Sequence, residues 1–183
     1  MTARFLLFCT GYYDYHTPLQ ADIPYLDQFS GQVIHPLFWP ADLKYESKSF
    51  VVIGSGTTAI TLVPKLAEQG PNVTMLQPSP SYIISVPNNS RSWLRYVLPT
   101  RQYRKVQRFY FRLMSRLFSL FCRAMPWSAR WLLRQQVQSL LPNNVPFDPR
   151  FVRRYNPWKQ RLCLSPDGDF FKSLHSGRVQ IKT

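Results

Sequence analysis

The sequence predicts an α/β fold: a Rossmann-like parallel sheet interrupted by an α-helical insertion. Three observations predict it. Phe50, Val51, Val52 and Ile53 form a short apolar run, which suits a strand buried on both faces of a sheet. Gly54, Ser55 and Gly56 break that run, and Ile60, Leu62, Val63, Leu66 and Ala67 then recur at helical steps. After Gly70 and Pro71, Asn72 to Leu76 reads as the next parallel strand, about 20 residues after the first glycine, as a dinucleotide-binding unit requires.

The turn itself fits the pattern G-x-G-x-x-G/A as Gly54, Gly56 and Ala59. One glycine permits the tight turn, the next lets backbone approach a pyrophosphate, and the small third residue lets helix and strand pack closely. The free N–H groups and the positive dipole end of the helix would face the phosphates. Gly54, Ser55, Gly56, Thr57, Thr58 and Ala59 are therefore candidate cofactor-binding residues. An ordinary strand–turn–helix crossover shares this pattern, so the turn alone does not decide function. Pro64 falls inside the helix, where a proline removes a hydrogen bond and kinks the axis.

At 183 residues the chain can bury one core, or one domain and part of another. The apolar stretch at 5–9 is too short for a signal peptide, and no apolar run approaches the roughly 20 residues that cross a bilayer. Cys9, Cys122 and Cys163 are scattered without metal-type spacing, so no metal site is expected and reduced thiols in a cytoplasmic setting are. Charge is lopsided. Residues 1–90 carry four Lys/Arg and six Asp/Glu, whereas residues 91–161 carry sixteen against Asp148 alone, within a total of +14. The basicity is a local surface rather than a property of the fold.

Residues 3–9 read as a strand that stops at Thr10 and Gly11, and residues 15–27 as a surface loop. Residues 29–40 place an aromatic (Phe29), a glycine two positions on (Gly31), His35, and then Trp39 and Pro40. Pro36 and Pro40 stiffen the segment, which can lay His35 and Trp39 across a domain junction. Taken alone, His35 beside aromatics reads as a structural histidine.

Phe29, Gly31, His35, Trp39 and Pro40 match the F-x-G-x-x-x-H-x-x-x-W-P fingerprint of Baeyer–Villiger monooxygenases, in the class B flavin-containing monooxygenases. The glycine turn follows at the spacing of that family's NADPH-binding domain, and Thr10-Gly11 is similar to its upstream linker. Residues 75–82, 154–158 and 161–163 resemble segments of the bacterial ethionamide-activating type. The resemblance implies chemistry on a flavin: NADPH reduces FAD, and the reduced flavin captures O2 as a peroxide that attacks a ketone carbonyl or a sulfur atom. It also implies roles. Residues 54–59, with Gln77 and Ser79, would hold NADP(H); Thr10 and Gly11 would lie by the cofactors. His35 would couple the domains during turnover. Arg161 falls where the family sets an arginine over the flavin, and a fixed guanidinium there stabilises a developing anion.

Two departures are expected to matter. The family reads Gln-Arg-Ser/Thr-Pro after the second strand, its arginine gripping the 2′-phosphate of NADPH; here Gln77-Pro78-Ser79-Pro80 stands instead. No acidic residue ends that strand, so NAD specificity is not expected either. Second, no glycine-rich turn precedes Thr10 and the chain stops after residues 178–183, before the family's return to its FAD domain. The FAD-binding βαβ unit and that return are therefore expected to be missing from an incomplete chain that is inactive alone: a gene fragment, a truncated isoform or one part of a split enzyme.

Residues 92–141 are helical in pattern, with aromatic and aliphatic residues at three- and four-residue steps, arginines between them, and breaks at Pro99 and Pro126. The favoured reading is an α-helical insertion packed on the NADP-binding domain, its arginine stems covering apolar surface. A basic amphipathic helix also suits a partner or an anionic membrane, and nucleic acid is disfavoured, since no nucleic-acid module accompanies the arginines. Residues 143–158 read as a surface connection, 165–169 as a turn, 170–174 as a short helix and 178–183 as a strand. The expected organisation is 1–45 as the end of an FAD-domain strand with linker and fingerprint, 46–90 with 150–183 as the NADP-binding domain, and 91–149 as the insertion.

Overall fold

A computed structural model describes residues 5–8, 14, 16–18, 21–46, 48–70, 72–88, 94–160 and 162–183, with side chains omitted at 94 and 95. Its strands and helices follow from where the β-branched runs and the 3.6-residue periods lie. Strand β1 is Ser49–Ile53, helix α1 Thr57–Gln69, strand β2 Asn72–Leu76 and strand β3 Tyr82–Val86. Three helices follow, α2 Leu94–Val97, α3 Thr100–Ala124 and α4 Pro126–Leu140. Strand β4 Leu162–Pro166, helix α5 Asp169–His175 and strand β5 Val179–Lys182 complete the order. Two parallel sheets result, β1-β2-β5 and β3-β4, which is the α/β architecture expected.

The chain divides into two compact units, 1–43 and 44–183. Sheets and helices alike lie in the second, so the segment 91–149 shares one body with the strands. The first unit contains short 3-10 helices at Leu26–Gln28 and Pro36–Phe38. Residues 5–8, within the expected first strand, form no strand and are exposed; a strand needs a ladder partner, and none of the described residues of 1–43 supplies one.

The core of the second unit forms under α1. Ile60, Val63 and Leu66 are buried and face Val73 and Met75 of β2, while Phe170, Phe171 and Leu174 close over them from α5. Val179 and Ile181 of β5 extend the same layer. Helix α1 runs through Pro64, which is itself buried: tertiary packing holds the helix where intrinsic propensity would break it. Gly70 ends it, its N–H donating to Leu66 O at 2.7 Å.

Strand β1 departs from the expectation of burial on both faces. It is an edge strand whose outer face carries Val51, 60% exposed, and Ile53. In register beside them lie Thr74 and Leu76 of β2, then Gln180 and Lys182 of β5, so one face of the sheet is bare. The expected turn at 165–169 is shorter than read: β4 continues through Pro166, and only Asp167 and Gly168 turn, both with positive φ. The expected surface connection 143–158 is partly core, with Phe151 and Pro157 buried.

Phe170 is fully buried between α5 and α1, whereas Phe109 on α3 is 68% exposed. Phe170→Ala is expected to cost about 3–5 kcal/mol through the cavity it leaves, and Phe109→Ala less than about 0.5 kcal/mol. Urea unfolding of both variants measures the difference.

Candidate functional site

The glycine turn sits at the carboxyl end of β1, where ligands of open parallel sheets bind. Gly54 donates its N–H to Leu76 O at 2.8 Å, carrying the β1–β2 ladder one residue into the turn. Its φ of +140° is a conformation that side-chain-bearing residues rarely adopt, and no atom lies within 4 Å of where a Cβ would stand. Backbone angle, not crowding, requires glycine there. Helix α1 then starts at Gly56 without a side-chain cap, and Thr57 and Thr58 are exposed. The first intrahelical bond is Ile60 N–H to Gly56 O at 3.1 Å, so the N–H groups of the opening turn have no partner within the helix.

Side chains fix this turn to two neighbouring segments. Ser55 Oγ donates to Ser79 O at 2.6 Å and lies 3.1 Å from Ser81 Oγ. Thr57 Oγ1 contacts Cys163 Sγ at 3.7 Å, and Cys163 Sγ in turn reaches Ser55 O at 3.8 Å. The turn is thereby tied to the loop after β2 and to β4. The open backbone and uncapped helix end fit a dinucleotide pyrophosphate.

The other residues singled out by sequence are placed as follows. Ala59 is buried at the helix–strand contact, the role of a small third residue. Ser79 is exposed, as is Pro78. Gln77 is 2% exposed; its amide nitrogen donates to Arg150 O and Thr183 Oγ1, so its side chain braces the end of the sheet. His35 lies in the 1–43 unit, exposed, its Nδ1 accepting the Leu37 N–H at 3.2 Å and its ring tilted 6.3 Å from that of Phe38. A Cβ at Gly31 would meet the tip of the exposed Phe29 ring. Thr10, Gly11 and Arg161 lie outside the described residues. Among the described residues no cluster of His, Cys, Asp and Glu could hold a metal, and Cys122 and Cys163 are free thiols in the core.

One residue escaped sequence reasoning. Arg153 is 7% exposed. Its Nε donates to Ser81 O at 3.0 Å, and its guanidinium lies 4.6 Å above the Tyr82 ring and 5.8 Å from the Phe147 ring. Its Nη2 has no hydrogen-bond partner. Burial pushes its pKa down to about 10, opposed by Tyr82 and Tyr155, so it keeps its charge at neutral pH. Nothing in an arginine-rich stretch distinguishes the one that turns inward. A buried cation without a carboxylate is costly to the fold. Arg153→Met is accordingly expected to leave stability within about 1 kcal/mol of the parent, as measured by chemical unfolding, while freeing the loop at 79–81.

No family model matches the chain. The chain is 41% identical over 186 residues to the FAD-containing monooxygenase EthA of Mycolicibacterium smegmatis, covering 100% of this chain and 38% of that protein. The same protein of Mycobacterium tuberculosis is 39% identical over 187 residues, with 100% and 38% covered. Among solved structures, a steroid monooxygenase bound to NADP superposes with TM-score 0.62 at 17% identity, over 88% of this chain and 38% of that one. A cyclohexanone monooxygenase from Rhodococcus sp. Phi1 bound to NADP+ gives 0.60 at 18%, over 90% and 38%. The chain thus spans 38% of the length of these curated relatives. Along its entire length it is a homologue of part of the FAD-containing monooxygenases, and it shares its α/β fold with Baeyer–Villiger monooxygenases.

Proposed function

We propose that residues 54–59 bind the pyrophosphate of NADPH, and that the chain carries the nicotinamide-cofactor half of an FAD- and NADPH-dependent monooxygenase. Its partners under this reading are O2 and a small organic substrate, a ketone or a sulfur compound. The observation that carries it is the uncapped amino end of α1 at the carboxyl edge of a parallel sheet, where aligned N–H groups receive phosphate. Whole-length similarity to FAD-containing monooxygenases supports the same reading.

Roles follow residue by residue. The N–H groups of the opening turn of α1 hold the pyrophosphate, and Ser55 fixes the turn against 79–81. By resemblance Thr10, Gly11 and Arg161 would serve the cofactors, Arg161 the flavin, and His35 would couple the cofactor domains. FAD, when bound, supplies the oxygen chemistry. The residues of the glycine turn bind and orient the nicotinamide cofactor. The same reading places the enzyme in the cytoplasm, in peripheral contact with a membrane through 91–141.

The 2′-phosphate is the weak point. Pro78 and Ser79 are exposed where a cation would be useful. The nearest charge in register is Lys182 of β5: it pairs with Leu76, and its carbonyl accepts the Gln77 N–H at 2.9 Å. Its exposed side chain stands at the carboxyl edge of the strand beside β2, and we assign it the residual charge for the phosphate. A missing charge-assisted contact is worth about 1.5–3 kcal/mol, roughly tenfold to a hundredfold in affinity. Calorimetric titration is expected to show weak NADPH binding with little preference over NADH, and Lys182→Gln is expected to erase what preference remains. Strong selectivity for NADPH in the parent, or an unchanged ratio in the variant, contradicts the assignment.

A non-catalytic NADP-binding or membrane-associated fragment is the competing reading, favoured by the exposed apolar residues of α3. The visible spectrum of the purified chain bears on the two: flavin retained through gel filtration supports a working flavin site within this chain, and a colourless protein leaves the nucleotide-binding module alone.

A further inference from the structure

Helix α3 is 25 residues long and carries seven Lys/Arg and no acidic residue. At 100° per residue its charged and apolar side chains separate. Arg101, Lys105, Arg108, Arg112 and Arg116 share one arc of the helix, and Val106, Phe109, Leu113, Leu117 and Leu120 the arc adjoining it. A helix on a soluble domain turns its apolar stripe inward. Here Cys122 is the one residue of α3 that is buried, and Phe118, which meets the Trp158 ring edge-on at 5.8 Å, is half-buried. Both lie on the flank next to the arginines. The arginine side also borders a groove whose lining includes Arg112, Arg116, Arg123 and Trp158 together with Phe111 and Leu120. The apolar stripe, Val106 to Leu120, is exposed along its whole length.

We infer that α3 seats on an anionic lipid surface, its apolar stripe in the acyl boundary and its arginines reaching up to the headgroup phosphates. Charge complementarity selects this occupant. A nucleic acid would engage the arginine face and leave the stripe in water, whereas a lipid interface takes both faces at once. Arginine stems cover apolar surface while their heads stay among phosphates, and the groove beside Trp158 lies on the side from which headgroups are met. No helix among the described residues is long and apolar enough to cross a membrane, so α3 lies in the interface. Trp127, 84% exposed, and Trp131 stand one turn apart on α4, the next helix, and are suited to the headgroup level. This inference deepens the membrane contact proposed above for 91–141 and rests on it, but not on the NADPH site, since it uses none of the glycine-turn residues.

Flotation of the 183-residue chain with phosphatidylcholine vesicles, with and without phosphatidylglycerol, tests it. The chain is expected to float with the anionic vesicles only, and to bind about tenfold or more weakly when salt is raised well above physiological levels. Two double variants at exposed positions, Leu113→Ala with Leu117→Ala and Arg108→Gln with Arg112→Gln, are each expected to weaken binding about tenfold while helix content by circular dichroism is unchanged. Failure to float, or flotation that the leucine variant leaves intact, overturns the inference. So does a self-association that the leucine variant abolishes in a chain that ignores vesicles, which would make a second copy the occupant. Tight binding to a single-stranded oligonucleotide without flotation would overturn it in favour of nucleic acid.

Discussion

The burial of α1 between the β1-β2-β5 sheet and α5 is the constraint on which the rest depends. Ile60, Val63 and Leu66 cannot leave the layer formed by Val73, Met75, Phe170 and Leu174 without exposing the main core of the 44–183 unit. That burial fixes the axis of the helix, and with it the direction in which the N–H groups of its first turn point. It also overrides Pro64, whose missing donor would end a helix held by local propensity alone. The orientation of the uncapped end of α1 is therefore a by-product of packing at its middle. Mutations deep in this core act on the turn at a distance, because no capping side chain holds the amino end independently.

What packing leaves loose, a polar network tightens. Ser55 joins the turn to Ser79 and Ser81, and Arg153 holds Ser81 from behind through its carbonyl. The cation–π contact with Tyr82 makes Arg153 tolerable in the interior, yet its Nη2 is still unpaired. A fold selected for stability alone would favour an apolar residue there. A cation behind the loop at 79–81 gives the neighbourhood of the glycine turn a positive potential without any direct contact.

Legibility of the sequence followed the length scale of each pattern. The strand–turn–helix–strand succession from Ser49 to Leu76 could be read because each piece has a local period, and the parallel pairing follows from the crossover between them. The helices around Pro99 and Pro126 were equally plain. Longer-range facts were not. Nothing local marks Gln77 as a brace for Arg150 and Thr183, which are 73 and 106 positions away. Arg153 looks like Arg154 beside it, and only the three-dimensional placement of Tyr82 and Phe147 turns it inward. Residues 5–8 carry a strand-like composition, but composition cannot supply a ladder partner.

The two surfaces that the sequence read least well have a common cause. A β-branched run such as β1 encodes a strand for a sheet covered on both faces, and a stripe such as that of α3 encodes a face that avoids water. In each case the pattern states how much burial the segment was built for and is silent on what provides it. Val51, Ile53 and Leu76 on the sheet, and Phe109, Leu113 and Leu117 on the helix, are all exposed. The difference between the surfaces lies in charge. The bare face of the sheet carries Lys182 beside neutral neighbours, as an ordinary protein contact would, whereas the stripe of α3 is bordered by a row of Lys and Arg on a helix that carries no acidic residue. A partner for that row must bring anions as well as an apolar surface. A surface that offers hydrocarbon and phosphate within the thickness of one helix resolves both requirements together.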